Sequence, residues 1–289
     1  MDGIIIIDKP KNCTSHDIVR KAKKIFGEKV GHTGTLDPMA TGVLPLLIGK
    51  GTLCSKYLMN HDKIYEVQLT LGTKTDTADS EGKIVEEKEI HQNTFQKENI
   101  EKALQAFLGK QEQTPPIYSA IKVKGKKLYE YARRGEKVEI QSRTIEIYEI
   151  KLLQINKNKK QIEFQVHCSK GTYMRSLCED IAKQLDTVGY MSGLNRLKVG
   201  DFSIEEAVRI EELEEKIEDK EFTEQHFITL EKLFQEKQII ELDTRKLELL
   251  LNGVRLTQKK EDGIYRIYCN KKFMGIGIIE NQLLKRDIM

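Results

Sequence analysis

The chain has 289 residues, 39% of them apolar and 32% charged, which allows one large domain plus a small one and a sizeable core. Clustered Ile, Leu and Val exclude a disordered polymer, and the longest apolar runs, Ile4 to Ile7 and Val43 to Ile48, fall far short of the about 20 residues of a membrane span. The net charge of +3 conceals +8 over residues 1–200, −9 over residues 201–250 and +4 over residues 251–289, so two basic bodies suited to a polyanion flank an acidic stretch.

Five scattered cysteines (Cys13, Cys54, Cys168, Cys178, Cys269) form no C-x-x-C pair. They argue against a disulfide framework or zinc ribbon and for reduced thiols in a cytosol. The start Met1-Asp2-Gly3 has no basic region, so no secretory signal is expected.

In chain order, Gly3 to Asp8 reads as a short buried strand stopped at Lys9-Pro10. Thr14 or Ser15 then caps a helix with Ile18, Val19, Ala22, Ile25 and Phe26 on one face, closed by Gly27. A Gly-rich loop occupies residues 28–42. Lys63 to Leu71 alternates strictly, with Tyr65, Val67, Leu69 and Leu71 on one face. Ile100, Ala103, Leu104, Phe107 and Leu108 predict a second helix ended by Gly109. Pro115-Pro116 makes the following segment extended.

Strands are predicted near Thr144 to Leu153 and Gln161 to Cys168. Gly171 leads into a third helix with Leu177, Cys178, Ile181 and Leu185 inward. Ser203-Ile204-Glu205-Glu206 fits a capping box ahead of acidic helices. Beyond Leu247 to Gly253, alternating runs at Ile264 to Cys269 and Phe273 to Ile279, with turns at Asn270-Lys271 and Glu280-Asn281, predict a small all-β module.

Several motifs fail on spacing. Gly49-Lys50-Gly51-Thr52 is no phosphate loop, because Gly51 stands where Ser or Thr must follow the Lys. No G-x-G-x-x-G follows a strand, and none of the six histidines fits a zinc-protease or nucleobase-deaminase pattern. What remains is Gly31-His32-Thr33-Gly34-Thr35-Leu36-Asp37-Pro38-Met39-Ala40-Thr41-Gly42. A lone Asp before Pro is commonly a turn residue. Held between regular elements, it could equally be a nucleophile or an electrostatic stabiliser at a sugar carbon.

This stretch, continued through Val43-Leu44-Pro45, closely resembles the catalytic motif of the bacterial tRNA pseudouridine-55 synthases, the TruB family. Gly3 to Pro10 resembles the family's opening strand, and Lys63-Ile64-Tyr65 the segment bearing its tyrosine. Gly72 to Thr77 with Asp79 resembles its next loop. Pro115-Pro116 with Tyr118-Ser119-Ala120, Lys122, Gly125 and Tyr129 to Arg133 resembles another. Cys168-Ser169-Lys170-Gly171-Thr172-Tyr173 with Arg175 resembles its arginine motif. The likeness covers roughly residues 3–202. Leu251-Asn252-Gly253 and Gly275-Ile276-Gly277 resemble a PUA-type RNA-binding domain less specifically. Lys50-Gly51, Leu53 and Asn195 depart from the family pattern.

The resemblance implies an isomerase that breaks the N1–C1′ bond of uridine-55 in the tRNA T arm, turns the base and rejoins it through C5, with no cofactor and no metal. It implies Asp37 as the catalytic carboxylate, Tyr65 as the tyrosine stacking on the uracil and able to take the C2′ proton, and Arg175 as the partner of Asp37. His32 would fill the gap left by the flipped nucleotide, Tyr173 and Leu194 would line the uracil pocket, and Lys9 would support the loop. The expected fold is α/β (α+β): a catalytic domain over residues 1–235 around a mixed, largely antiparallel sheet, including the acidic helical segment 203–235, then a PUA-like β-barrel over residues 240–289. A cytoplasmic monomer acting on the tRNA T stem-loop, with no membrane and no obligatory protein partner, is expected. The alternatives are an RNA-guided pseudouridine synthase and a non-catalytic tRNA-binding folding factor.

Overall fold

The computed structural model describes residues 1–289. Strand β1 (Gly3–Lys9) is buried along nearly its whole length because both of its faces are covered. Ile5 and Ile7 pack under helix α1 (Ser15–Phe26), while Ile4 and Ile6 face the C-terminal module. Of the two expected caps, Thr14 is the one used, in a capping box with Asp17, and Gly27 ends the helix in the left-handed conformation at φ +66°. Next come β2 (Val30–His32), β3 (Thr41–Ile48), a 3-10 turn, the short α2 (Ser55–Leu58) and β4 (Lys63–Leu71).

In β4 the alternation is realised, since Tyr65, Val67, Leu69 and Leu71 are all buried. A ribbon of β5 (Thr73–Thr75) and β6 (Ile84–Glu87) follows. Helix α3 (Lys97–Gln105) is shorter than predicted. Phe107 and Leu108 lie past its end, and Gly109, at φ +86°, opens β7 (Gly109–Gln113) instead. A second ribbon, β8 (Lys122–Val123) with β9 (Lys126–Lys127), precedes α4 (Leu128–Arg133). Then come β10 (Arg143–Asn156), β11 (Gln161–Cys168), α5 (Met174–Gln184), β12 (Gly189–Val199) and β13 (Phe202–Ser203).

The acidic stretch folds into three short helices, α6 (Ile210–Lys216), α7 (Lys220–His226) and α8 (Leu230–Leu233), with the strand β14 (Phe227–Thr229) between the last two. The capping box at Ser203 caps only a 3-10 turn, Ile204–Glu206. The main sheet runs β14-β1-β3-β12-β4-β11-β10-β7, with β2 and β13 paired at its sides. All its pairings are antiparallel except β12 with β3. Its core of 23 residues lies between β4, β11 and β12 on one side and α3 and α5 on the other.

Beyond Gly253 every regular element of the tail is a strand, as expected, but a strand and a helix that were not predicted precede it. Strand β15 (Ile239–Glu241) lies parallel to β17 (Gly263–Cys269), and Leu247 to Leu251 belongs to a helix, α9 (Thr244–Leu251). With β16 (Leu256–Thr257), β18 (Lys272–Glu280) and β19 (Leu283–Ile288), the strands form a curled half-barrel ordered β15-β17-β18-β19-β16. Asn270-Lys271 and Asn281-Gln282 all have positive φ, the geometry of tight hairpin turns. The module has its own core around Leu250, Ile267 and Leu284. Its Ile276 and Ile288 also join Ile4, Ile6 and Val43 in a cluster shared with the large sheet. No helix is long and apolar enough to cross a membrane.

Candidate active site

Asp37 lies in the connection between β2 and β3, residues 33–40. Ser15, at the start of α1, accepts the Leu36 N–H at 2.9 Å and donates to the Leu36 carbonyl at 3.2 Å. The Asn12 N–H donates to the Pro38 carbonyl at 2.9 Å, and the Ala40 N–H donates to the Asp37 carbonyl at 3.0 Å. The latter bond closes a turn for which Pro38 presets φ. Leu36, Met39 and Ala40 sink into the main core, so the loop is pinned on both flanks. The Asp37 carboxylate is left 31% exposed.

Lys9 is fully buried, and its Nζ donates to the carbonyls of Pro10, Cys13 and Pro38 at 2.9, 2.7 and 3.3 Å. It braces the far side of the loop. Burial lowers its pKa, partly offset by the negative charge of Asp37.

Arg175 stands in the first turn of α5, where the helix dipole disfavours a cation. Carboxylates supply the compensation. Nη2 donates to Asp37 Oδ1 at 3.2 Å and Nε lies 3.2 Å from Oδ2, a two-point fork. Nη1 lies 3.6 Å from Asp79 Oδ2, and the guanidinium also reaches the carbonyls of Tyr118 at 2.9 Å and Thr77 at 3.4 Å. One buried cation thereby ties three loops together. Burial raises the Asp37 pKa above the ordinary carboxylate value; Arg175 opposes this, Asp79 adds to it and Lys9 opposes it.

A cavity of about 590 Å³ opens beside this carboxylate, within the range of small-molecule sites. Tyr65, Tyr173, Leu194 and Arg175 line it together with Asp37, so five of the seven residues expected from sequence meet in one place. Tyr173 is held by its backbone: its N–H donates to Gln113 Oε1 at 2.8 Å, and its carbonyl accepts from Gln113 Nε2 at 3.0 Å. Leu194 follows a bulge in β12 between Met191 and Gly193.

His32 and Lys9 do not line the cavity. His32 sits on β2 opposite Leu46, one residue before the lining residue Thr33, and its Nδ1 has no hydrogen-bond partner. Burial, then the positive charge of Arg196, depresses its pKa, favouring the neutral ring.

Three charged groups at the site were not singled out from sequence. Asp79 is the second carboxylate on Arg175; its place in the family-like loop Gly72 to Asp79 was the available signal. Lys63 and Arg196 line the cavity wall around Tyr65. Arg196 is 1% exposed, and nothing in its local sequence announces a buried cation.

The profile described as TruB family pseudouridylate synthase (N terminal domain) matches residues 22–174, and that of the tRNA pseudouridylate synthase B C-terminal domain matches residues 175–252. The junction of the two falls inside the main sheet, since β12 lies beyond it. The chain is 43% identical to the tRNA pseudouridine synthase B of Clostridium tetani over 284 residues, covering 96% of this chain and 95% of that one. It is also 43% identical to the tRNA pseudouridine synthase B of Caldanaerobacter subterraneus subsp. tengcongensis over 289 residues, covering 99% and 98%. Among solved structures, the crystal structure of a Cbf5-Nop10-Gar1 complex is similar at a TM-score of 0.68 and 25% identity, covering 96% of this chain and 78% of that chain.

Proposed function

The chain belongs to the TruB family of pseudouridylate synthases, and from that premise we propose that it converts uridine to pseudouridine in tRNA, at position 55 of the T arm. The observation that carries this reading is the Asp37 carboxylate, forked by Arg175 and open to a cavity walled by Tyr65, Tyr173 and Leu194. The target nucleotide leaves its stack to enter that cavity, and its base lies against the apolar and aromatic wall.

The reaction breaks N1–C1′, turns the uracil and forms C5–C1′; C5 gives up its proton and N1 gains one. Nothing is oxidised or consumed. Asp37 supplies negative charge at C1′, and Arg175 fixes the orientation of its two oxygens. Tyr65 stacks on the uracil, and on the glycal route its phenolate oxygen takes the C2′ proton. A covalent bond from Asp37 to C1′ and a glycal formed by loss of that proton are both compatible with this arrangement. Residues 1–235 form the catalytic domain and residues 240–289 a PUA-like RNA-binding domain, in keeping with the separate core of the tail. The protein works in the cytoplasm as a monomer without a guide RNA. Identity of 43% over nearly the full chain to proteins that are tRNA pseudouridine synthases supports this reading.

The test is a T-arm hairpin carrying tritium at C5 of the target uridine. The purified chain alone should release the label, and Asp37→Asn should lose more than about 10³-fold in single-turnover rate while still binding the hairpin. Comparable rates for the two proteins would refute the assignment.

A further inference from the structure

Arg196 is the largest side chain buried to below 2% exposure. Its Nε donates to the Val43 carbonyl at 2.7 Å and its Nη2 to the Gly34 carbonyl at 3.0 Å. None of the ion pairs in the chain includes it. Arg175, in the same cavity wall, has two carboxylates. A buried guanidinium without a counter-ion is costly to keep, so what it faces matters. On β12 it is the register partner of Tyr65 on β4, so the two side chains stand next to each other on one face of the sheet.

We infer that Arg196 is a positioning residue whose fixed charge makes the Tyr65 oxygen able to accept a proton in the isomerisation. A neutral phenol is a very weak base, so a tyrosine that takes a proton from carbon must act as the phenolate. In the step concerned, the Tyr65 phenolate oxygen removes the C2′ proton and the C2′–H electron pair becomes the C1′=C2′ bond. N1 leaves C1′ with the N1–C1′ pair, so the base departs as the uracil anion. The anion is then rejoined through C5 as Tyr65 returns its proton to C2′. The carbonyls of Val43 and Gly34 hold the guanidinium in place while leaving its full charge unneutralised.

The surroundings of Tyr65 otherwise oppose ionisation. Burial raises its pKa, the positive charge of Arg196 lowers it, and Cys168 and Asp37 push it up. Lys63 shares the wall, but burial and the repulsion of Arg196 lower its own pKa. Arg196 is therefore the group that counteracts burial at this hydroxyl. The inference rests on the proposed role of Tyr65 as proton acceptor.

The test is a double-mutant cycle of Arg196→Gln and Tyr65→Phe, with Arg196→Lys as the charge-conserving variant. Single-turnover rates against pH and hairpin affinity are read for each. Arg196→Gln should slow the reaction by about tenfold or more at neutral pH and displace the rising limb of the pH–rate profile to higher pH. Arg196→Lys should restore part of both. In the Tyr65→Phe background, Arg196→Gln should cost no further rate. An equal loss in both backgrounds, or an undisplaced profile, overturns the role of Arg196. A large loss of hairpin affinity also overturns it, because Arg196 would then hold a phosphate. A Tyr65→Phe variant as fast as the parent instead overturns the reading of Tyr65 itself. If Arg196→Gln does not fold, Arg196→Lys in the two backgrounds gives the same comparison.

Discussion

Arg175 holds Asp37 by both carboxylate oxygens, each at 3.2 Å, while its outer nitrogen lies 3.6 Å from Asp79. The chain brings the three together from the β2–β3 loop, the ribbon loop and the start of α5, segments separated by up to 138 residues. Such an arrangement aims a nucleophilic or charge-stabilising carboxylate more rigidly than a single hydrogen bond does.

Arg175→Met should therefore harm both folding and chemistry. It would leave Asp79, whose side chain is 6% exposed, and Asp37 facing each other without a cation. Removing one partner of a buried pair typically costs about 3–5 kcal/mol, with the lower end expected because Asp37 is partly open. Acidification neutralises the stranded carboxylates, so the deficit should shrink as the pH falls. Urea unfolding of parent and variant at neutral and mildly acidic pH checks this, and a deficit independent of pH would contradict it.

The direction of the Asp37 shift gives a second expectation. The carboxylate is the working form, and its pKa lies above the ordinary 3.8 because of burial, with Asp79 adding to the shift. Activity should fall on acidification earlier than an exposed aspartate would allow. Asp79→Asn removes one upward influence, so its acid limb should move to lower pH even though the maximal rate drops. In stability terms, a carboxyl whose folded pKa is raised opposes the native state above that pKa, and the opposition is relieved as pH falls through it. The acid limbs of the two single-turnover profiles decide the point.

The parts legible in the sequence were those where one residue pattern meets one environment. The strict alternation of β4 was visible because its buried face packs on a continuous core. The α1 cap was visible because Thr14 and Asp17 act within four residues. Strand β12 was not predicted, although it lies between β3 and β4 at the heart of the sheet. Two bulges, after Met191 and after Arg196, shift its parity, and its polar residues split, with Arg196 turned into the Asp37 cavity while Ser192 and Asn195 lie outside its lining. Helix α9 is only eight residues long, too short for its periodicity to stand out beside alternating strands. The site residues came from the family-like motifs. What those motifs did not reveal was that His32 stands outside the cavity lining and Arg196 within it.

Gly42 carries a backbone requirement that should be measurable. Its φ is +101°, and a Cβ there would run into the backbone of Arg196, the register partner of Gly42 across the β3–β12 junction. Gly42→Ala should cost well over about 1 kcal/mol and slow the reaction by displacing Arg196. Gly27→Ala is the control. That glycine has φ +66° but nothing within 4 Å of its missing Cβ, so it should lose about 1 kcal/mol from strain alone with the rate unchanged. Equal thermal shifts for the two variants would show that the close approach of β12 is unimportant.

The C-terminal module offers the last expectation. It is fixed to the catalytic sheet by Ile276 and Ile288 packing near Ile4 and Ile6, and by Asp287, which accepts hydrogen bonds from Lys56 and Tyr57. Cutting the chain before the module would expose this seam, so surface charges are the cleaner probe of RNA binding. Arg255 and Lys259 are exposed and belong to the basic surplus of residues 251–289. The double reversal Arg255→Glu with Lys259→Glu should weaken binding of full-length tRNA. For every phosphate that the reversed protein no longer neutralises, the salt dependence of affinity should also flatten by about 0.7–0.9 in log–log slope. Single-turnover chemistry on a saturating T-arm hairpin should be unchanged, since neither residue lines the Asp37 cavity. Parallel salt titrations of the parent and reversed proteins on tRNA and on the hairpin measure both effects. An unaltered slope on tRNA would mean that this part of the tail does not follow the phosphate backbone.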